Sequence, residues 1–166
     1  DFVSKFSNTD VRNLFVASST ITNPADFRRY TTRKFKFNFG SDVPLIRTAE
    51  MILIDAEALA RTPGKEAEAH DLLYALQKNR DANAVKSTNT GAALIDEILL
   101  ERRKELYAEN GVEWFDAKRL RKGITRTGNH RIFKNLSADD KRFFLKVPQR
   151  EIDANESIDD TVNKDR

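Results

Sequence analysis

Apolar residues recur at helical spacing over residues 44–61, where Leu45, Ala49, Ile52, Leu53, Ala56 and Leu59 mark one stripe and Met51, Ile54 and Ala58 a second. Asp42 suits the N-cap, and Pro44 then falls in the first turn, where its missing N–H costs nothing. A helix apolar on two faces is expected to be sandwiched between neighbours. Thr62-Pro63-Gly64 stops it. A second helix over 65–80 turns Ala69, Leu72, Leu73 and Leu76 inward. The short Pro-Gly turn makes the pair a helical hairpin, close in length to a tetratricopeptide unit.

After a polar loop at 81–91, a third helix over 92–110 carries Leu94, Ile95, Ile98, Leu99 and Leu106, with Asn110-Gly111 as its C-cap. A short fourth helix over 112–121 holds Trp114, Phe115 and Leu120. These two helices are expected to cover the second face of the first. Residues 1–42 form a loop-rich lead-in, with a Ser/Thr/Asn/Pro-rich loop at 17–26. Phe35, Phe37 and Phe39 alternate with polar residues as a short strand ended by Gly40. Beyond 123 the helical period is lost. Gly128-Asn129 marks a turn, Phe143–Val147 reads as a short strand before Pro148, a short helix follows at 149–154, and the last residues are polar and frayed. The expected fold is all-α, mainly helical. Its parts are the lead-in 1–42, two tetratricopeptide-like hairpins over 43–122, and a loop, short strand and tail over 123–166.

Composition narrows the chemistry. The 166 residues carry 29 Lys+Arg against 26 Asp+Glu, a net charge of +3 that is too small and too scattered to imply nucleic acid. There are no cysteines, so disulfides, thiolate metal sites and cysteine nucleophiles are excluded together. No apolar run is long enough to span a membrane. His70 and His130 are far apart and lack metal-ligand spacing. Glycine-rich phosphate loops and a Gly-x-Ser-x-Gly elbow are absent, so no cofactor and no metal are expected. The opening at Asp1, without Met or a signal-like segment, suits a processed protein or a piece of a longer one.

The unusual chemistry lies on the third helix. Continuing its apolar seam at helical spacing brings Arg102, Glu105, Leu106 and Glu109 onto the core-facing stripe. A guanidinium there must find carboxylates, and Glu50, Glu57 and Asp116 are available. The arrangement can be a glycosidase-type carboxylate pair or a buried ion-pair network clamping the helices. Carboxylates interleaved with arginine stay ionised and serve poorly as acids, which favours the network. Trp114 reads as a packing residue that could stack with Lys118. Two loops combine rings with polar partners in the manner of a sugar site. Phe27 and Tyr30 stand beside Asn23, Arg28 and Arg29, and His130 and Phe133 stand beside Asn129 and Asn135.

Three blocks together carry a resemblance. Val43-Pro-Leu-Ile-Arg-Thr-Ala-Glu-Met-Ile-Leu-Ile-Asp-Ala-Glu-Ala58 resembles the central helix of the SusD/RagB family. Glu101-Arg-Arg-Lys-Glu-Leu-Tyr-Ala-Glu-Asn-Gly-Val-Glu-Trp-Phe-Asp-Ala-Lys-Arg119 resembles its signature helix pair, and Val147-Pro-Gln-Arg-Glu-Ile-Asp-Ala-Asn155 its closing segment. They occur in family order. The resemblance implies the C-terminal portion of a surface-exposed outer-membrane lipoprotein that is not an enzyme. Such a protein captures oligosaccharides and delivers them to a TonB-dependent SusC-like transporter, and its contact with the membrane is through an N-terminal lipid anchor that this chain lacks. The family's main glycan platforms lie largely in other segments, so binding by this chain alone is expected to be weak. Two other readings of the same residues stay open: a helical-repeat protein-interaction module without a small ligand, and an enzyme of unassigned class.

Overall fold

The computed structural model describes residues 2–23, 26–35, 38, 40–126, 131 and 135–164. The chain is mainly helical, with one small two-stranded sheet among the described residues, and divides into two units, Asp1–Glu113 and Trp114–Arg166.

The first unit is built on α1 (Thr48–Ala60), α2 (Glu66–Arg80) and α3 (Gly91–Leu106). Helix α1 packs on both α2 and α3, which touch each other little. Among the described residues, Leu53 of α1, Leu73 of α2 and Leu94 and Ile98 of α3 are the fully buried large side chains. Ala49, Ala56, Ala60 and Ala69 fill the closer approaches between them. Truncating any of the buried leucines would cost about 2–5 kcal/mol.

Helix α1 begins four residues later than Pro44, with Arg47 rather than Asp42 at the N-cap position and no side-chain cap. A helix from Pro44 would spend the carbonyls of residues 44 and 45 on its own N–H groups. Here those carbonyls accept from Asn110 Nδ2 at 2.9 and 3.2 Å instead. Leu45 therefore leaves the inward stripe and is 78% exposed. The second apolar face is also not sandwiched, since Met51, Ile54 and Ala58 are all exposed.

Helix α3 stops at Leu106, short of the expected Asn110. Ala108, Asn110 and Gly111 all adopt positive φ. Lys34 Nζ donates to the carbonyls of Glu105 and Tyr107 at 2.9 and 2.8 Å, and Arg47 donates to that of Glu105 at 2.8 Å. These cations take the carbonyls that another turn of helix would have used, and they sit where the helix dipole favours positive charge.

The lead-in is more ordered than its composition suggests. A 3-10 turn at Val3–Lys5 precedes an antiparallel pair, β1 (Phe15–Ala17) and β2 (Tyr30–Thr32), in which Val16 faces Thr31. Phe2, Phe6 and Phe15 pack around Tyr107, with ring centroids 5.2–6.0 Å from it. Asp10 bridges to Asp81, and Val11 N–H donates to the Arg80 carbonyl at 2.8 Å. Phe35 lies in a bend, and Phe37 and Phe39 of the expected strand lie outside the described residues.

Helix α4 (Val112–Arg119) leads into the second unit. There Trp114 packs on Phe143, with centroids 4.7 Å apart, and Lys118 stands over Phe144 at 4.8 Å rather than over Trp114. Ile124 and Leu136 exchange both backbone hydrogen bonds at 2.9 Å. The expected strand at 143–147 is absent. A 3-10 turn at Lys141–Phe143 occupies its start, with Asp140 as its cap. Val147 finds its ladder partner in a side chain, since the Asn163 amide accepts from its N–H and donates to its carbonyl. That amide also holds the tail, which forms a 3-10 turn at Asp160–Asn163 rather than fraying. Helix α5 (Gln149–Ala154) lies where the pattern places it.

Candidate functional site

The seam of α3 carries Leu94 and Ile98 and then continues as Glu101, Arg102, Glu105 and Leu106, all buried. Burial without compensation would neutralise or unfold such a row, so its partners define the site. Glu105 accepts from three arginines: Arg12 at 3.0 Å, Arg47 at 2.7 Å, and Arg80 through both carboxylate oxygens at 3.0 Å. Arg12 also reaches Asp10 at 2.8 Å and Glu101 at 2.6 Å. Arg47 grips Glu109 through Nε and Nη2 at 2.9 and 2.8 Å, and Lys34 reaches Glu109 at 2.5 Å. Lys104 completes the centre on Asp10 at 2.9 Å.

The electrostatics follow from these contacts. Burial works to raise the Glu105 carboxyl, but hydrogen bonds from Arg80 and Arg47 prevail and bring it down to about 2. Asp10 is likewise held at about 2, burial opposing and Arg12 and Lys104 prevailing. Burial pushes the Lys34 ammonium down, against the pull of Glu109. Glu105 and Asp10, held that low, are ionised at neutral pH and have no proton to give, as members of an ion-pair clamp.

Of the candidate residues, Glu105 on the seam and Glu109 beyond the end of α3 meet on Arg47, and Arg102 donates to Glu50 of α1 at 2.9 Å. Glu57 accepts from Arg61 at 2.8 Å and Asp116 from Arg119 at 2.7 Å, each within its own helix turn. Arg12, Lys34, Arg47, Arg80 and Lys104 were not legible as partners. The core-facing glutamates announce a need for cations, but four of the five cations come from outside α3, and no periodicity connects them.

Two features face solvent. Phe27, on the turn before β2, is 47% exposed, and Tyr30, the first residue of β2, is 38% exposed. The Arg28 guanidinium stands 5.6 Å from the Phe27 ring centroid and is itself held by Asp26 at 2.8 Å. Arg29 stands 5.7 Å from the Tyr30 centroid and donates to the Ile21 carbonyl at 2.8 Å. Each ring is thus oriented from one side by a fixed cation. Asn129, His130 and Phe133 lie outside the described residues. Beside α1, a cleft of about 800 Å³ has Phe35, Val43 and Pro44 as apolar wall and Asn38, Ser41 and Asp42 as polar rim, and it is bordered by Lys34, Arg47 and Glu109. Its size and mixed lining are those of a small-molecule site. Among the described residues no group of acidic or histidine side chains is arranged to hold a metal.

Comparison with known families decides the relationship. The SusD family matches residues 27–163, most of the chain. The chain belongs to the SusD family. No curated protein matches it, and no solved structure does. SusD family membership points to nutrient binding at a cell surface rather than to catalysis. The matched region contains the exposed rings Phe27 and Tyr30, the cleft, and all of the charge centre except Asp10 and Arg12.

Proposed function

We propose that this chain forms part of the glycan-binding component of a SusC/SusD-type nutrient-uptake system. On this reading it captures oligosaccharide on the outer-membrane surface, held there by an N-terminal lipid anchor, and passes it to a TonB-dependent transporter. The observation that carries the reading is the SusD family match over residues 27–163. Two features support it. Phe27 and Tyr30 offer oriented, part-exposed rings beside Arg28, the combination that stacks a pyranose face and hydrogen-bonds its hydroxyls. The 800 Å³ cleft offers Phe35 beside Asn38 and Asp42.

The test is an NMR titration of the chain with neutral oligosaccharides at millimolar concentration. Shifts confined to residues 26–31 or to the cleft, and lost in Phe27→Ala or Tyr30→Ala without loss of fold, are expected. Co-purification with an outer-membrane transporter from native membranes tests the partner.

A second reading, a helical-repeat protein-interaction module, has one observation in its favour. Met51 and Ile54 expose an apolar stripe on α1. A chain that gives no shifts with any sugar but binds a protein partner through α1 would establish it instead.

A further inference from the structure

The charge centre of the first unit does not balance. Among its described members, Asp10 and Glu101 face Arg12 and Lys104, and Glu109 faces Arg47 and Lys34. Glu105 is left to compensate Arg80 while also accepting from Arg12 and Arg47. The five cations Arg12, Lys34, Arg47, Arg80 and Lys104 thus face four carboxylates, one positive charge in excess, and Arg80 shares its one carboxylate, Glu105, with two other arginines. It has no second carboxylate among the described residues, and its Nη1 carries no hydrogen bond to any of them. Asp81, next in the chain, is committed elsewhere. It accepts from the hydroxyls of Ser7 and Thr9, the latter at 2.7 Å, and from Asn83 N–H.

Uncompensated positive charge next to a buried network is unfavourable unless an anion or water meets it. The Arg80 side chain is 28% exposed and opens on a cleft of about 250 Å³. The cleft is lined by the apolar Val11, Leu14 and Tyr107, by the cations Arg12, Lys34, Arg47, Arg80 and Lys104, and by a single carboxylate, Glu105. It is smaller than the roughly 300 Å³ at which drug-sized sites begin, so it suits one charged ring and not a chain of them.

We propose that this cleft is an anion subsite that takes the carboxylate of an acidic sugar, with the apolar face of the ring on Val11 and Leu14. The proposal rests on the glycan-binding reading and names a substrate class for it. A carboxylate matches the planar donor edge of a guanidinium, and arginine keeps its charge at any working pH. The free Nη1 supplies a donor that the protein itself leaves unused.

The test is titration of the chain, followed by NMR and calorimetry, with digalacturonate, with the neutral disaccharide of galactose, and with sodium acetate and sodium sulfate as free anions. Digalacturonate should bind with shifts at Val11, Leu14 and Arg80, and should weaken as salt rises. Arg80→Gln should lower its affinity about tenfold or more, as loss of a charge-assisted hydrogen bond does. Val11→Asp changes a residue that is 65% exposed and leaves the ion pairs in place, so it should weaken digalacturonate without affecting the fold. Neither variant should alter binding of the neutral disaccharide. Equal binding of neutral and acidic sugars, unaffected by Val11→Asp, would overturn the subsite and leave the glycan reading standing. Acetate or sulfate binding as tightly as digalacturonate would make it a site for free anions and not for a sugar acid. Failure of every sugar to bind would overturn the glycan reading and the subsite together.

Discussion

Arg102 of α3 donates to Glu50 of α1 at 2.9 Å, across an interface where Arg102 is only 7% exposed. Removing one partner strands the other charge in a part-buried place. Arg102→Ala should cost about 3–5 kcal/mol in urea unfolding. Replacing both partners with apolar residues, Arg102→Met with Glu50→Leu, should cost less than Arg102→Met alone, because neither charge is then left unpaired. A double-mutant cycle measures the difference. Additive costs would show that the pair contributes nothing of its own.

Stability should fall in acid through the charge centre. Glu105 and Asp10 are held at about 2 in the folded chain, below their ordinary values of 4.5 and 3.8. A carboxyl lowered by folding contributes stability that is present above its unfolded pKa and is lost as pH falls through the folded one. The urea midpoint should therefore stay nearly level from neutral pH down to about 5 and drop between about 4.5 and 2. The two groups together account for roughly a few kcal/mol. Glu105→Gln should flatten that drop. A profile unchanged by the substitution would assign the acid sensitivity to other carboxylates.

The sequence was most legible where one physical signal acted alone. Helix α2 runs Glu66–Arg80, close to the expected 65–80, because a single apolar stripe and the Pro63-Gly64 stop agree. The start of helix α1 at Thr48 is not legible locally, because Asp42 and Pro44 are themselves good helix-start residues. The competing claim on the Pro44 and Leu45 carbonyls comes from Asn110, far along the chain. The burial of Arg102 and Glu105 follows from extending the α3 seam, whereas Glu109 lies beyond the end of α3 and is buried by Arg47 and Lys34. The identity of their partners does not follow, because Arg12 and Lys34 come from a lead-in with no periodicity. The pair β1–β2 was missed for the same reason: strands of three residues rest on their neighbours and leave almost no pattern.

The exposed stripe on α1 was expected to be covered by α3 and α4. Helix α3 does pack on α1, but it leaves Met51 46% and Ile54 48% exposed. Ile54→Glu should therefore change folding stability by no more than about 0.5 kcal/mol. It should also reduce binding of an apolar dye such as ANS at neutral pH. A loss of several kcal/mol would mean that the side chain is covered in solution.

Gly123 holds the second unit at one point. Its φ is +66°, and a Cβ there would collide with the Leu136 carbonyl oxygen. That carbonyl accepts from Ile124 N–H at 2.9 Å, so the backbone cannot retreat without losing the bridge. Gly123→Ala should destabilise this unit by about 1–3 kcal/mol, the range for a strained backbone position. Amide exchange at Ile124 and Leu136 should quicken while α1–α3 stay protected.

Arg12 meets Glu105 across 93 residues of sequence, whereas α1 and α2 meet across a short turn. Closing a long loop costs chain entropy before its contacts repay it. The order of assembly should then be the α1–α2 hairpin first, α3 next and the leading segment last. The same order run backwards sets how the unit fails. Under a protease or a pulling force, residues 2–12 should detach while the three helices still stand, and their departure leaves Glu105 one arginine poorer and Lys104 without Asp10. The first cut in limited proteolysis should fall in this segment, and helices surviving it should show the acid sensitivity of a centre that has lost part of its charge.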